Sequence, residues 1–390
     1  MRRRFRRQAG FTLVEMMAAL TAGLVAISAI YTISSASSKH FHEQQRISQT
    51  QMALRMGMSR LTRDISRAGF GGSPNTQAEL NTGVACGRPP NGGHFSAVQF
   101  LDGQDTARLP NAAFNGVQAD RIRLVGNYAT AELFRAMPGG GGVSPTQLVI
   151  QADWQSFRRS FGVIGTTYDP EAFEEVFRPG RVLHIQTIGG QHFYPEITSS
   201  VGTNQTVTFT PSFVCGGERM NMALVAPLSR VEYRVVDNTD PDVQLGNLFN
   251  VADGPRGFAN AVLVRQELDS ANRPIRGSEQ VVLEYVANVD FQFIVDTTIG
   301  VGTAPNFVLE QGALAPNVTN FPHRIRSVIV NLSARTADHD PTFPIPPGFA
   351  APAPGQPITR YQVVPGLLGA ARVRSMRSEV QLRNMRVIRP

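Results

Sequence analysis

The chain has 390 residues, 42% of them hydrophobic, with 36 glycines and 26 prolines. That length and apolar share permit a real core, and the scattered turn formers favour many short strands over a helical bundle. The formal net charge of +7 gathers at one end: Arg2, Arg3, Arg4, Arg6 and Arg7 supply five of the 37 basic residues, leaving 32 against 30 acids, a near-neutral body without a nucleic-acid footprint.

The first ten residues form a short basic leader that ends at Gly10. An apolar run follows from Phe11 to about Ala36, and Glu15 is its only charged residue. A helix of roughly 20 residues crosses a bilayer, so this run is long enough. The arginines before it should stay in the cytoplasm, which places everything after Ser37 outside the inner membrane. Three readings of the segment compete. A secretory signal could end at Ser34-Ser35-Ala36, and Arg2-Arg3-Arg4-Phe5 resembles a twin-arginine motif, but a signal core is usually about 7–15 apolar residues. A plain membrane anchor explains the length and leaves a carboxylate in the spanning helix without a purpose.

The third reading uses every feature. Gly10-Phe11-Thr12-Leu13-Val14-Glu15 resembles the class III signal of type IV prepilins. The resemblance implies a cut between Gly10 and Phe11 by a membrane prepilin peptidase, then N-methylation of Phe11. Glycine before the scissile bond offers no side chain to a tight site. The cut would remove all five leader arginines and keep the helix. Glu15 stands four residues after the new terminus, on the same helix face. The family implies that its carboxylate pairs with the N-terminal amine of a neighbouring subunit, and an intramembrane carboxylate is a functional residue by default. The competing reading has Glu15 reach the headgroups.

From Ser37 to Ala68 the pattern predicts an amphipathic continuation of the helix. Ile47, Leu54, Met58, Leu61, Ile65 and Ala68 recur at helical spacing, and Gly69, Gly71 and Gly72 supply the stop. Asp64 is placed to pair with Arg60 or Arg67. Leu61-Thr62-Arg63-Asp64-Ile65-Ser66-Arg67-Ala68-Gly69-Phe70-Gly71 resembles a block of PilW-type minor pilins, and weaker resemblances follow at Ala119–Leu124, Val281–Phe293 and Val328–Arg335. The organisation read from this is a leader over 1–10, a transmembrane helix over 11–36, a helical stalk over 37–72 and a β-rich extracytoplasmic domain over 73–390.

Beyond Ser73 there is no long helical pattern and no repeat. Strands are predicted at Gln147–Ala152, Arg181–Ile188, Gln205–Thr210, Ser229–Val236, Ala261–Glu267, Gln280–Tyr285, Val289–Val295, Arg326–Ala334 and Glu379–Val387, with loops at Pro138–Gly142 and Asp340–Pro357. The fold class is α+β: a long N-terminal helix packed on an elaborated antiparallel sheet domain.

Motifs for nucleophilic, phosphate-binding or zinc chemistry are missing, so no catalytic residues, no cofactor and no enzyme are expected. Trp154 reads as core, and His184 and His192 as core or surface residues. Asp237, Asp240 and Asp242 form an acidic turn whose oxygens could meet calcium, but it lacks EF-hand spacing and suits a solvated turn. Cys86 and Cys215 both precede glycine, and as an exported pair they are expected to form one disulfide, with two free thiols the alternative.

The size of the body favours a minor pilin over a major one. Its implied partners are the prepilin peptidase, other minor pilins, the major pilin, a large tip adhesin, the inner-membrane assembly platform and membrane lipid. A J-type minor pseudopilin of type II secretion shares the same plan. A membrane-tethered periplasmic hydrolase or binding protein would need a convergent polar site and leaves Glu15 idle.

Overall fold

The computed structural model describes residues 12–72, 96–139, 146–189, 192–210, 222–237, 260–298, 304–312, 315–347, 349, 357–366 and 369–385. The chain divides into two compact units, Met1–Thr50 and Gln51–Pro390. Helix α1 spans Leu13–Arg67. In the first unit it is exposed, and it carries an apolar window long enough to cross a membrane with none of that window buried in the protein.

The second unit begins with the last turns of α1. There Leu54, Met58, Leu61 and Ile65 are buried, on the stripe the sequence predicts, and they join the main core. The helix ends where Gly69 (φ +77°) and Gly71 (φ +73°) take the left-handed conformation that glycine adopts without strain. The exit is stitched to the body: the Gly69 amide donates to the Val125 carbonyl at 2.8 Å, and the Asn127 amide to the Phe70 carbonyl at 2.7 Å. A Cβ on Gly126 would lie 2.8 Å from the Arg67 carbonyl, so the helix end passes this close only over a glycine.

Among the described residues the body holds β1 (Val98–Leu101), α2 (Ala112–Asn115), β2 (Arg121–Gly126), β3 (Phe134–Pro138), β4 (Gln147–Ile150), α3 (Gln155–Phe161), α4 (Pro170–Val176), β5 (Val182–Gln186), β6 (His192–Phe193), β7 (Glu196–Val201), β8 (Thr206–Thr210), β9 (Ala223–Val236), β10 (Val262–Leu268), β11 (Gln280–Leu283), β12 (Val286–Asp296), β13 (Phe307–Gln311), α5 (Pro316–Asn320), β14 (Ile325–Arg335), β15 (Arg360–Tyr361) and β16 (Ala371–Gln381). All strand pairs are antiparallel. The fold is α+β.

Strand β9 organises the larger sheet. Its second half pairs with β2 on one side and β10 on the other, and β1 and β11 extend this layer. Its first half pairs with β3 and β5, and the path β9-β3-β4-β8-β7-β5 returns to β9, a closed ring. Closure removes the strand edges an open sheet would leave. The ring encloses a second core in which Phe134, Phe157, Phe161, Phe173 and Phe177 meet, with Phe173 and Phe177 centroids 4.8 Å apart. A five-stranded sheet, β13-β12-β14-β16-β15, shares the main core with α1 and the outer part of the first sheet.

Eight of the nine predicted strands fall on observed ones. The last, Glu379–Val387, overlaps only the end of β16, which stops at Gln381 before a 3-10 turn over Arg383–Met385. Pro138 closes β3, and residues 140–142 of the expected loop lie outside the described residues. The predicted insertion after Asp340 is anchored at its start, where Asp340 is buried against Arg372 at 2.6 Å. Trp154 is half-buried at the N-cap of α3, with the Arg135 guanidinium 3.8 Å from its ring. Phe157, three residues on, takes the core position expected of it.

Candidate functional site

The N-terminal end of α1 is built by a reciprocal cap. Thr12 Oγ1 accepts from the Glu15 amide at 3.3 Å, and the Thr12 amide and hydroxyl both donate to Glu15 Oε2 at 3.0 Å. This is the capping box of a Thr-x-x-Glu start, which satisfies amides that have no partner in the first turn. It fixes the Glu15 carboxylate beside the helix terminus, where the positive end of the macrodipole favours an anion. Both Thr12 donors load one oxygen, Oε2. The Thr12-x-x-Glu15 spacing alone carries the signal for this cap, which the prepilin resemblance passes over. Gly10 and Phe11 lie outside the described residues, as do Cys86, Cys215, Asp240 and Asp242. Asp237 is described and ion-pairs with Arg108 at 3.1 Å. Among the described residues, no group of three or more His, Cys, Asp or Glu is placed to hold a metal ion.

At the other end of α1 the expected pairing of Asp64 is corrected. Its Oδ2 accepts from Arg265 Nε at 2.7 Å and from the Tyr233 hydroxyl at 2.8 Å, while the Asp64 carbonyl accepts from the Tyr128 hydroxyl at 3.0 Å. Arg60 reaches Gln280, and Arg67 donates to the carbonyls of Asn127 and Thr130. Asp64 is buried against Tyr233 of β9 and Arg265 of β10, and Arg60 and Arg67 are taken by these other acceptors. Burial opposes the charge on Arg265, but the Asp64 carboxylate outweighs it and holds the guanidinium pKa above its ordinary value. Burial, reinforced by the same carboxylate, pushes the Tyr233 hydroxyl upward.

A histidine pair guards the chain just past the helix. His184 Nδ1 lies 2.6 Å from the Gly71 carbonyl, and His184 Nε2 lies 2.8 Å from His192 Nδ1. A carbonyl only accepts, so Nδ1 of His184 carries the hydrogen and its Nε2 accepts from His192. Burial, aided by the neighbouring imidazole and opposed by the Gly71 carbonyl, lowers the His184 pKa to about 4. A base depressed in the folded state is fully compatible with folding above its unfolded value, near 6.5. Stability is therefore lost as pH falls from about 6.5 towards 4, because the unfolded chain takes the proton first. His184→Gln keeps one donor and one acceptor but cannot titrate. It is expected to flatten the drop in unfolding midpoint between pH 7 and 5, and an unchanged drop would remove His184 as its source.

A family model described as the prokaryotic N-terminal methylation motif matches residues 5–31. The match takes in Gly10, Phe11, Thr12, Glu15 and most of the apolar run. No curated protein and no solved structure matches the chain. The chain thus carries a type IV prepilin-like signal on an apolar helix suited to membrane anchoring, which supports a type IV pilin-like or pseudopilin protein.

Proposed function

We propose that the chain is a minor pilin of the PilW type, which helps prime assembly of a type IV pilus near its tip. The observation that carries this reading is the methylation-type signal over residues 5–31, with Glu15 held at the helix start. In this reading prepilin peptidase cuts after Gly10 and methylates Phe11. The anchor then holds the subunit in the inner membrane with its body in the periplasm until other minor pilins, the major pilin, the assembly platform and a tip adhesin take it up. Thr12 has a part in this scheme: by binding Oε2 it orients the carboxylate and leaves Oε1 for the amine of the next subunit. The work assigned to the chain is assembly, without catalysis and without a cofactor.

The J-type minor pseudopilin is separated from this reading by phenotype. A strain lacking the chain is expected to lose surface pili while type II secretion continues. Loss of secretion with pili intact would move the protein to the secretion system. Retention of both would count against filament function altogether.

A further inference from the structure

We propose that a cleft in the body, along the last turns of α1, is a docking groove for an acidic polypeptide segment of a partner protein. The cleft encloses about 780 Å³ between α1 and the elements carrying Glu175, Val176, Arg181, Arg265 and Glu267. Its far wall is electrically balanced. Arg265 is paired with Asp64 at 2.7 Å and Arg181 with Glu267 at 2.9 Å, while Glu175 lies 3.9 Å from Arg181. The helix wall sets four arginines against one acid, Asp64, which is already taken by Arg265. Arg55, Arg60, Arg63 and Arg67 all line the cleft. Arg67 is used by two backbone carbonyls and Arg60 by the Gln280 amide, both neutral acceptors. Arg55 and Arg63 are exposed and make no ion pair with a described residue. Like charges along the wall of a recess concentrate the local field and attract an anion.

The spacing selects the kind of anion. Arg55 and Arg63 are eight residues apart on one helix, about 12 Å along its axis. A compact ion such as phosphate can answer one of them, whereas carboxylates four residues apart on an extended chain, about 13 Å, can answer both. Between them Met56 is 66% exposed, with Val176 on the opposite wall of the cleft. An apolar side chain between the two carboxylates would cover Met56, and a phosphodiester strand has none to offer.

The test uses the full chain in detergent micelles and a fluorescent peptide of glutamates interrupted by leucine. Binding is expected to weaken as salt rises. The double reversal Arg55→Glu with Arg63→Glu should weaken it by about tenfold or more, and the double lysine replacement by only a few-fold. Both positions are exposed, and the fluorescence of Trp154 reports that the body is still folded. The proposal is overturned if the wild type does not bind the peptide, if the reversal binds equally well, if millimolar inorganic phosphate displaces the peptide, or if a DNA oligonucleotide of equal charge binds more tightly.

Discussion

Asp64→Ala is expected to destabilise the folded body by about 3–5 kcal/mol, the usual cost of removing one partner of a buried ion pair. Arg265 would keep its charge in a site that is 8% exposed, and the Tyr233 hydroxyl would lose its acceptor. Helix α1 would also lose this charged tie to β10, leaving apolar packing and the hydrogen bonds of Arg60, Arg67 and Gly69 to hold it. Replacing both partners, Asp64→Leu with Arg265→Met, removes the unpaired charge as well as the pair, and apolar replacements of buried pairs are often neutral or better. The double variant should therefore be more stable than Asp64→Ala despite carrying more changes. Chemical unfolding followed by the single tryptophan, Trp154, measures both. Equal stability of Asp64→Ala and wild type would show that the pair adds nothing to the attachment of the helix.

Glu15→Ala should have the largest functional effect and almost none on the body. Alanine is a better helix former than glutamate and carries no charge into lipid, so insertion of the anchor is expected to continue. What disappears is the carboxylate that the Thr12 cap holds at the helix start. A neighbouring subunit's amine would then meet no anion, and assembled pili should fall by about tenfold or more. Surface pili are counted in a strain carrying only the variant, with immunoblots showing equal processed protein in the membrane. Wild-type piliation at equal protein level would reject the pairing role. Thr12→Ser, which keeps the cap, should assemble normally, since serine caps as well as threonine.

The parts of the fold that were legible in the sequence are those with a local cause. The stripe Leu54, Met58, Leu61 and Ile65 repeats at helical spacing and packs as that spacing requires. Runs rich in Val and Ile, such as Val328–Leu332, are strands because branched side chains suit a pleated surface. The ring of strands was not legible, because its closure depends on one 14-residue strand, β9, pairing with β3, β5, β2 and β10 at remote positions. Helices α3 and α4 have seven residues each, too short to show a period, and their phenylalanines are helical only because the second core receives them. The partner of Asp64 was hidden for a similar reason: Arg265 is 201 positions away, and local spacing offered Arg60 and Arg67 first. The signal around Glu15 needed no tertiary information, since residue order alone carries it.

The most direct measurement is the mass of the N-terminal peptide of protein recovered from membranes of cells with active prepilin peptidase. A peptide beginning at N-methylated Phe11 is expected, with Gly10 and the five arginines before it removed. Gly10→Val should leave the leader attached, because a branched side chain would stand at the scissile bond. An intact leader on the wild-type protein, or a mature start near Ser37, would contradict the prepilin reading.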